Sequence, residues 1–256
     1  MINELPFLSH KLRNELRALH SASVRDERKR FLAEGPHLCD ELLSSGAATH
    51  TVVVYSDAPE SVWSIARRFR DMGVHVVQCS AKSLELLSTV KTPQDIIAEA
   101  SFLPARTVAG KVLLLDDVSD PGNVGTIIRS AAWFGFDSVA LSPGCADVYN
   151  SKVLRASAGA VFKLNVLRKC NLHHWLLQHP EYVAVGTTPR GGTEPRHVAT
   201  LQPLALVIGS EAHGMSNELI AMCKTMVSIP GGAFTESLNA AVAASILCYE
   251  CREQRQ

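Results

Sequence analysis

The sequence predicts a two-part α/β protein with largely parallel sheets, on three observations. Short β-branched or apolar runs alternate with amphipathic helical stretches along the chain, as in repeated βαβ units. The run "KVLLLDD" (111–117) is continuously apolar between its lysine and its two acids, as expected of a strand buried on both faces. Between the two sets lies "FLPARTVAG" (102–110), which carries Pro and Gly and has no periodicity. That stretch sets the boundary, giving parts 1–105 and 106–256.

In the first part, the spacing predicts an amphipathic helix over 8–21 and a short apolar stretch at "RFLAEGP", followed by a helix over 37–45. A strand "THTVVVY", a helix near 59–71, a strand "VHVVQC", a helix near 81–88 and a strand "DIIAEAS" complete it. The second part opens with the buried run and offers further strands at "SVALS", "FKLNVL", "YVAVGTT", "LALVIGS" and "TMVSIP". It closes with a helix from Glu236 to about Glu250, where apolar residues recur at helical spacing.

Composition narrows the class. Apolar residues make up 46% of the 256 residues and charged residues 20%, which places the chain among globular rather than disordered proteins. No apolar run nears the about 18 residues of a membrane span. The opening "MINELPFLSHKLRNEL" has no signal-peptide core, so a cytoplasmic protein is expected. The seven cysteines are scattered and odd in number, unlike a secreted disulfide framework. Cys248 and Cys251 form a C-x-x-C, but no second pair sits at zinc spacing, so buried thiols are expected there and no metal. Formal net charge is zero, which argues against binding nucleic acid by bulk charge alone. Basic residues do cluster at Lys11, Arg13, Arg17, Arg25, Arg28, Lys29 and Arg30, and again at Arg67, Arg68 and Arg70.

Three strand-to-helix junctions in the second part carry polar residues: "DDVSDPGNVGTIIRSA", "LALVIGSEAHGMS" and "VSIPGGAFTESLNAAVAA". In an open parallel sheet, ligands collect outside the carboxyl ends of the strands, so these loops can converge on one site. Each alone reads more readily as a tight turn, a helix cap or a solvated acid.

In order and spacing, "DPGNVGTIIRSAAWFGF", "VIGSEAHGMS" and "SIPGGAFTESLNAAVAASILCYE" resemble the three motifs of the SpoU (TrmH-type) branch of SPOUT methyltransferases. "KVLRASAGAVFKLNV" (152–166) looks like the segment after the first motif, and "ERKRFLAEGPHLCDELLSSG" is similar to the N-terminal substrate-binding domain attached to many of these enzymes. The resemblance implies an L30e-like α/β domain followed by a SPOUT α/β domain with a C-terminal deep trefoil knot, an exception to the rule against knots. It also implies S-adenosylmethionine as cofactor, a homodimer, and methylation of a ribose 2′-hydroxyl in structured RNA, ribosomal RNA ranking ahead of transfer RNA.

Carried over residue by residue, the resemblance makes Arg129 the essential arginine. Asn123, Glu211, Ser237 and Asn239 match the other polar positions of the catalytic site. Gly209, Ile229 and Leu238 match positions whose backbone meets the cofactor, with Thr187 in a neighbouring cofactor loop. A neutral guanidine is rare, whereas a fixed fork of donors suits phosphate. Arg129 is therefore expected to orient and activate the ribose-phosphate, with phosphate, water or a transiently deprotonated Arg129 taking the proton. One departure stands out: the family continues isoleucine-proline with methionine, and here Gly231 and Gly232 follow Pro230. Two other readings are an inactive RNA-binding protein with this fold and a nicotinamide enzyme. The latter lacks G-x-G-x-x-G after the first strand of the second part.

Overall fold

The computed structural model describes residues 5–252 except 233 and 235. The chain divides into two compact units. The first takes the chain up to Pro104 and a later return, Tyr149–Phe162. In order it contains α1 (His10–Ala18), α2 (Ala22–Arg28), β1 (Arg30–Glu34), α3 (Pro36–Ser45), β2 (Thr49–Tyr55), α4 (Glu60–Asp71), β3 (His75–Cys79), α5 (Ala81–Leu87) and β4 (Ile96–Ser101).

The sheet order is β1-β4-β2-β3. β2 and β3 are parallel, but β4 runs antiparallel to both β1 and β2. The expected largely parallel sheet is thus corrected to a mixed one in this unit. Alternation of helices and strands specifies neither strand direction nor insertion order, and β4 slots between two earlier strands. Leu16, Val53, Val77, Leu84, Leu87 and Ile97 pack one face of it.

The helix expected over 8–21 is the shorter α1, and α2 follows it at Ala22–Arg28, where no helix was expected. Ser9 caps α1 by accepting from the Leu12 N–H at 3.2 Å, and the helix ends at Ala18. The Arg25 guanidinium then donates to the carbonyls of Leu19 and His20, both at 2.8 Å, so carbonyls left open past the helix end are satisfied. Arg25 is buried, which removes it from the expected basic surface. Arg30 pairs with Glu99, Arg67 with Glu60 and Arg68 with Asp40, so both basic clusters are partly neutralised.

The remaining elements are β5 (Val112–Leu115), α6 (Pro121–Trp133), β6 (Ser138–Leu141), α7 (Ser151–Ser157), β7 (Asn165–Leu167), α8 (Leu172–Gln178), β8 (Val183–Thr187), β9 (Leu204–Ile208), α9 (Asn217–Met222), β10 (Thr225–Val227) and α10 (Ala240–Glu250). Of these, α7 belongs to the first unit. The second unit's sheet runs β10-β8-β9-β5-β6-β7, with every pairing parallel. All four residues of β5 are fully buried, as its unbroken apolar run requires. Val112 and Leu114 pack with Trp175, Leu176, Val207 and Leu219 on one face, while Leu113 and Leu115 point to the other.

On α10, Cys248 and Cys251 are buried free thiols. Burial pushes both up, Cys251 to about 11. The buried Lys111 ammonium donates to the Cys251 carbonyl at 2.6 Å, a favourable cation at a helix C-terminus. Among the described residues, no helix is long and apolar enough to cross a membrane.

Candidate active site

The site is built where β5, β8, β9 and β10 end. At the end of β5, the Asp116 N–H donates to the Ile208 carbonyl at 2.8 Å. The Asp116 side chain, in a residue 8% exposed, accepts from the Ser216 N–H at 2.8 Å. One acid thus ties the first motif to the far end of the second. Asp120 caps α6, its Oδ1 accepting from the Asn123 N–H at 2.9 Å, and Pro121 fits the first helical turn, where no N–H is needed.

Asn123 joins the three motifs. Its side-chain amide donates to the Glu211 carboxylate, and its side-chain carbonyl accepts from Asn239 Nδ2 at 3.1 Å. Asn239 in turn caps α10, its Oδ1 accepting from the N–H groups of Ala241 and Val242 at 2.9 and 3.3 Å. The final helix therefore starts at Ala240, four residues later than expected. Asn239 satisfies orphan N–H groups that Glu236 cannot reach, and Ser237 and Leu238 lie in the preceding loop.

Beside this chain of hydrogen bonds lies a cavity of about 720 Å³, within the range of small-molecule sites. Its walls come from 187–191, 208–214, 227–232 and 236–238, closed by α10 residues such as Ala243 and Leu247. Thr187, Gly209, Ile229 and Leu238, the four residues expected at the cofactor, line it, as do Glu211 and Ser237. Gly209 has a steric reason to be glycine: a Cβ there would lie 2.3 Å from the Gly214 carbonyl carbon. Met215, buried behind the turn, accepts the Thr187 N–H on its sulfur at 3.2 Å, holding the β8 and β9 loops together. The fit to S-adenosylmethionine rests on this volume and on a lining that offers both polar groups and apolar α10 residues.

Gly231 and Gly232 also line the cavity, and neither needs to be glycine. Among the described residues, a Cβ at Gly231 would meet nothing nearer than the Ile229 carbonyl oxygen at 4.0 Å, and one at Gly232 only Phe234 at 3.7 Å.

Arg129 stands apart. It is exposed on α6, outside the lining of the cavity, and makes no hydrogen bond or ion pair with another described residue. It shares an outward stripe with Thr126 and Trp133, at helical spacings of three and four, and Trp133 is 83% exposed. The adjoining face of α6 packs on α10 through the Ser130–Ser245 hydroxyl pair at 2.7 Å and an edge-on Phe134–Tyr249 contact. Sequence reasoning passed over Asp116, Met215 and Ser228. Asp116 carried a signal, being an acid at the very end of a buried strand; the other two had none.

These features, a parallel sheet with loops from β8, β9 and β10 around a nucleoside-sized cavity, define an α/β protein with a ligand site at its strand ends. The pattern of the SpoU rRNA Methylase family matches residues 110–249, and that of the MRM3-like substrate binding domain matches residues 14–98. The chain belongs to the SpoU rRNA methylase family. It is 32% identical over 239 residues to the 23S rRNA (guanosine(2553)-2′-O)-methyltransferase RlmP of Bacillus subtilis, covering 91% of this chain and 93% of that one. An AdoMet-bound rRNA methyltransferase from Sinorhizobium meliloti superposes with a TM-score of 0.84 at 25% identity, over 96% of each chain. The SpoU methyltransferase AviRb from Streptomyces viridochromogenes, in complex with AdoMet, gives 0.82 at 25% identity over 95% of this chain and 97% of that one.

Proposed function

We propose that this chain methylates a ribose 2′-oxygen of structured RNA, ribosomal RNA ahead of transfer RNA, with S-adenosylmethionine held in the 720 Å³ cavity. Family membership and the relative named for 23S rRNA support the reaction class. One observation carries the site assignment: the Glu211–Asn123–Asn239 hydrogen bonds draw the three motif loops to one cavity rim.

Bound S-adenosylmethionine would supply an electrophilic methyl. The methyl would pass to the ribose oxygen, the sulfur keeping the electron pair of the S–C bond. The hydroxyl proton leaves to a phosphate oxygen, to water or to a transiently deprotonated Arg129. Gly209, Ile229, Leu238 and Thr187 hold the adenosine end. Asn123, Glu211, Ser237 and Asn239 fix the loops so that the methyl faces the incoming oxygen, and such positioning supplies much of the rate. Arg129, exposed and ready for an external anion, clamps the ribose-phosphate with its planar fork.

A homodimer fits the exposed apolar Trp133, Val242 and Tyr249 on α6 and α10, since such patches mark association surfaces. A C-terminal trefoil knot belongs to the same reading, as what membership of the family implies. The four-stranded mixed sheet of the first unit suits an L30e-like substrate-binding domain. Seven free cysteines suit a cytoplasmic, reducing setting.

The test is transfer of labelled methyl from S-adenosylmethionine to RNA, followed by mapping of the 2′-O-methyl position. Arg129→Ala should lower transfer by about 10²–10³-fold, as for loss of a charge-stabilising donor, and leave cofactor binding nearly unchanged. Undiminished turnover in that variant would remove Arg129 from the mechanism. Absence of cofactor binding at millimolar ligand would favour the inactive RNA-binding alternative.

A further inference from the structure

The cavity has a charge pattern beyond the residues already assigned. Among the described residues that line it, three are ionisable: Glu211, Glu236 and Arg190. S-adenosylmethionine carries two cationic groups, its sulfonium and α-ammonium, and one anionic carboxylate. Two acids suit the cations. The carboxylate finds one complementary group in the wall, and resting on the cofactor reading above, we infer that Arg190 anchors the cofactor's methionine carboxylate.

The loop under Arg190 is built to hold its place. Before it, the Thr188 N–H donates to the Val227 carbonyl at 2.9 Å, and the Thr188 hydroxyl donates to Arg190's own carbonyl at 3.2 Å. After it, the Gly192 N–H donates to the Ser228 hydroxyl oxygen at 3.0 Å, and that hydroxyl donates to the Gly192 carbonyl at 3.1 Å. The Thr193 N–H adds a bond to the Met226 carbonyl at 2.8 Å. Gly192 permits this approach, because a Cβ there would lie 2.5 Å from the Val227 carbonyl carbon. Both flanks of Arg190 are thus tied to the strand end that leads into Ile229.

Such a fixed loop needs no backbone ordering on binding, and the paired donors of a guanidinium match the two oxygens of a carboxylate. The inference gives the amino-acid end of the ligand to Arg190.

Calorimetry without RNA tests the inference with two ligands, S-adenosylmethionine and its decarboxylated form, which keeps the adenosine and the sulfonium. Arg190→Ala should weaken the first by about tenfold or more, the scale of a lost charge-assisted hydrogen bond, and change the second by less than about twofold. Arg190→Lys should recover part of the loss, and Arg190→Glu should favour the decarboxylated ligand. Melting curves matching wild type show that the variants fold. Equal losses for both ligands, or no loss for either, would overturn the inference; no loss together with weaker RNA binding would move Arg190 to an RNA phosphate. A wild-type protein that binds neither ligand would overturn the cofactor reading itself, and the inference with it.

Discussion

Asn123 shows how one side chain can organise a site. Its amide and carbonyl each meet a different motif, so removing it leaves a carboxylate and an amide without their partner. Asn123→Asp should do more harm than Asn123→Ala, because it sets a second carboxylate against Glu211 and like charges at contact repel. The expected outcome in a binding titration is weaker S-adenosylmethionine affinity for both, by about tenfold for Ala and more for Asp. Asp116 makes a complementary case. Asp116→Ala should raise the Michaelis constant for the cofactor, whereas Asp116→Asn, which keeps an acceptor for the Ser216 N–H, should stay near wild type. Equal effects of the two would assign Asp116 a role other than accepting that bond. At this scale the sequence was informative about residue types and silent about partners. Asn123, Glu211 and Asn239 stood out by motif, but nothing in the order of residues indicated that Asn123 lies between the other two.

At the scale of elements, the loop after β10 holds the one clear departure from the family's pattern. Gly231 and Gly232 line the cavity with no described residue crowding them, and neither has the positive φ that demands glycine. Gly231→Ala should therefore be tolerated and should stabilise the loop by about 0.4–1 kcal/mol through the unfolded chain's lost freedom. Thermal melting and cofactor titration check this; a lower melting temperature would mean that the position needs glycine after all. Gly192→Ala should behave oppositely, forcing the loop off the Val227 backbone and weakening cofactor binding. Strand positions were legible because buried apolar runs such as "KVLLLDD" carry a strong signal. Helix starts were less so. The last helix was expected from Glu236 and begins at Ala240, because the cap is decided by which side chain reaches the free N–H groups. The end of α1 at Ala18 was hidden for a similar reason, resting on Arg25 of the unexpected α2 reaching back to two carbonyls.

At the scale of the molecule, the second unit's parallel sheet followed from its pattern, while the first unit's mixed sheet did not. Insertion of β4 between β1 and β2 is a long-range pairing, invisible to local periodicity. The return of Tyr149–Phe162 to the first unit is equally non-local. It brings Tyr149 into stacking with Phe31 at 4.5 Å and Phe102 at 4.2 Å between ring centroids, contacts among residues far apart in the chain. Association belongs to this scale too. If the exposed Trp133 and Tyr249 lie in a homodimer interface, Trp133→Glu should shift the protein to a monomer in sedimentation experiments without lowering its melting temperature by much. A variant that stays dimeric would place the interface elsewhere.

The central claim is that loops from three distant parts of the chain share one cofactor. Amide hydrogen exchange with and without saturating S-adenosylmethionine tests it most directly. The account predicts slowed exchange together at 187–191, 208–214 and 227–238, with the first unit's sheet unchanged. Protection confined to one of these segments, or found only outside them, would contradict it.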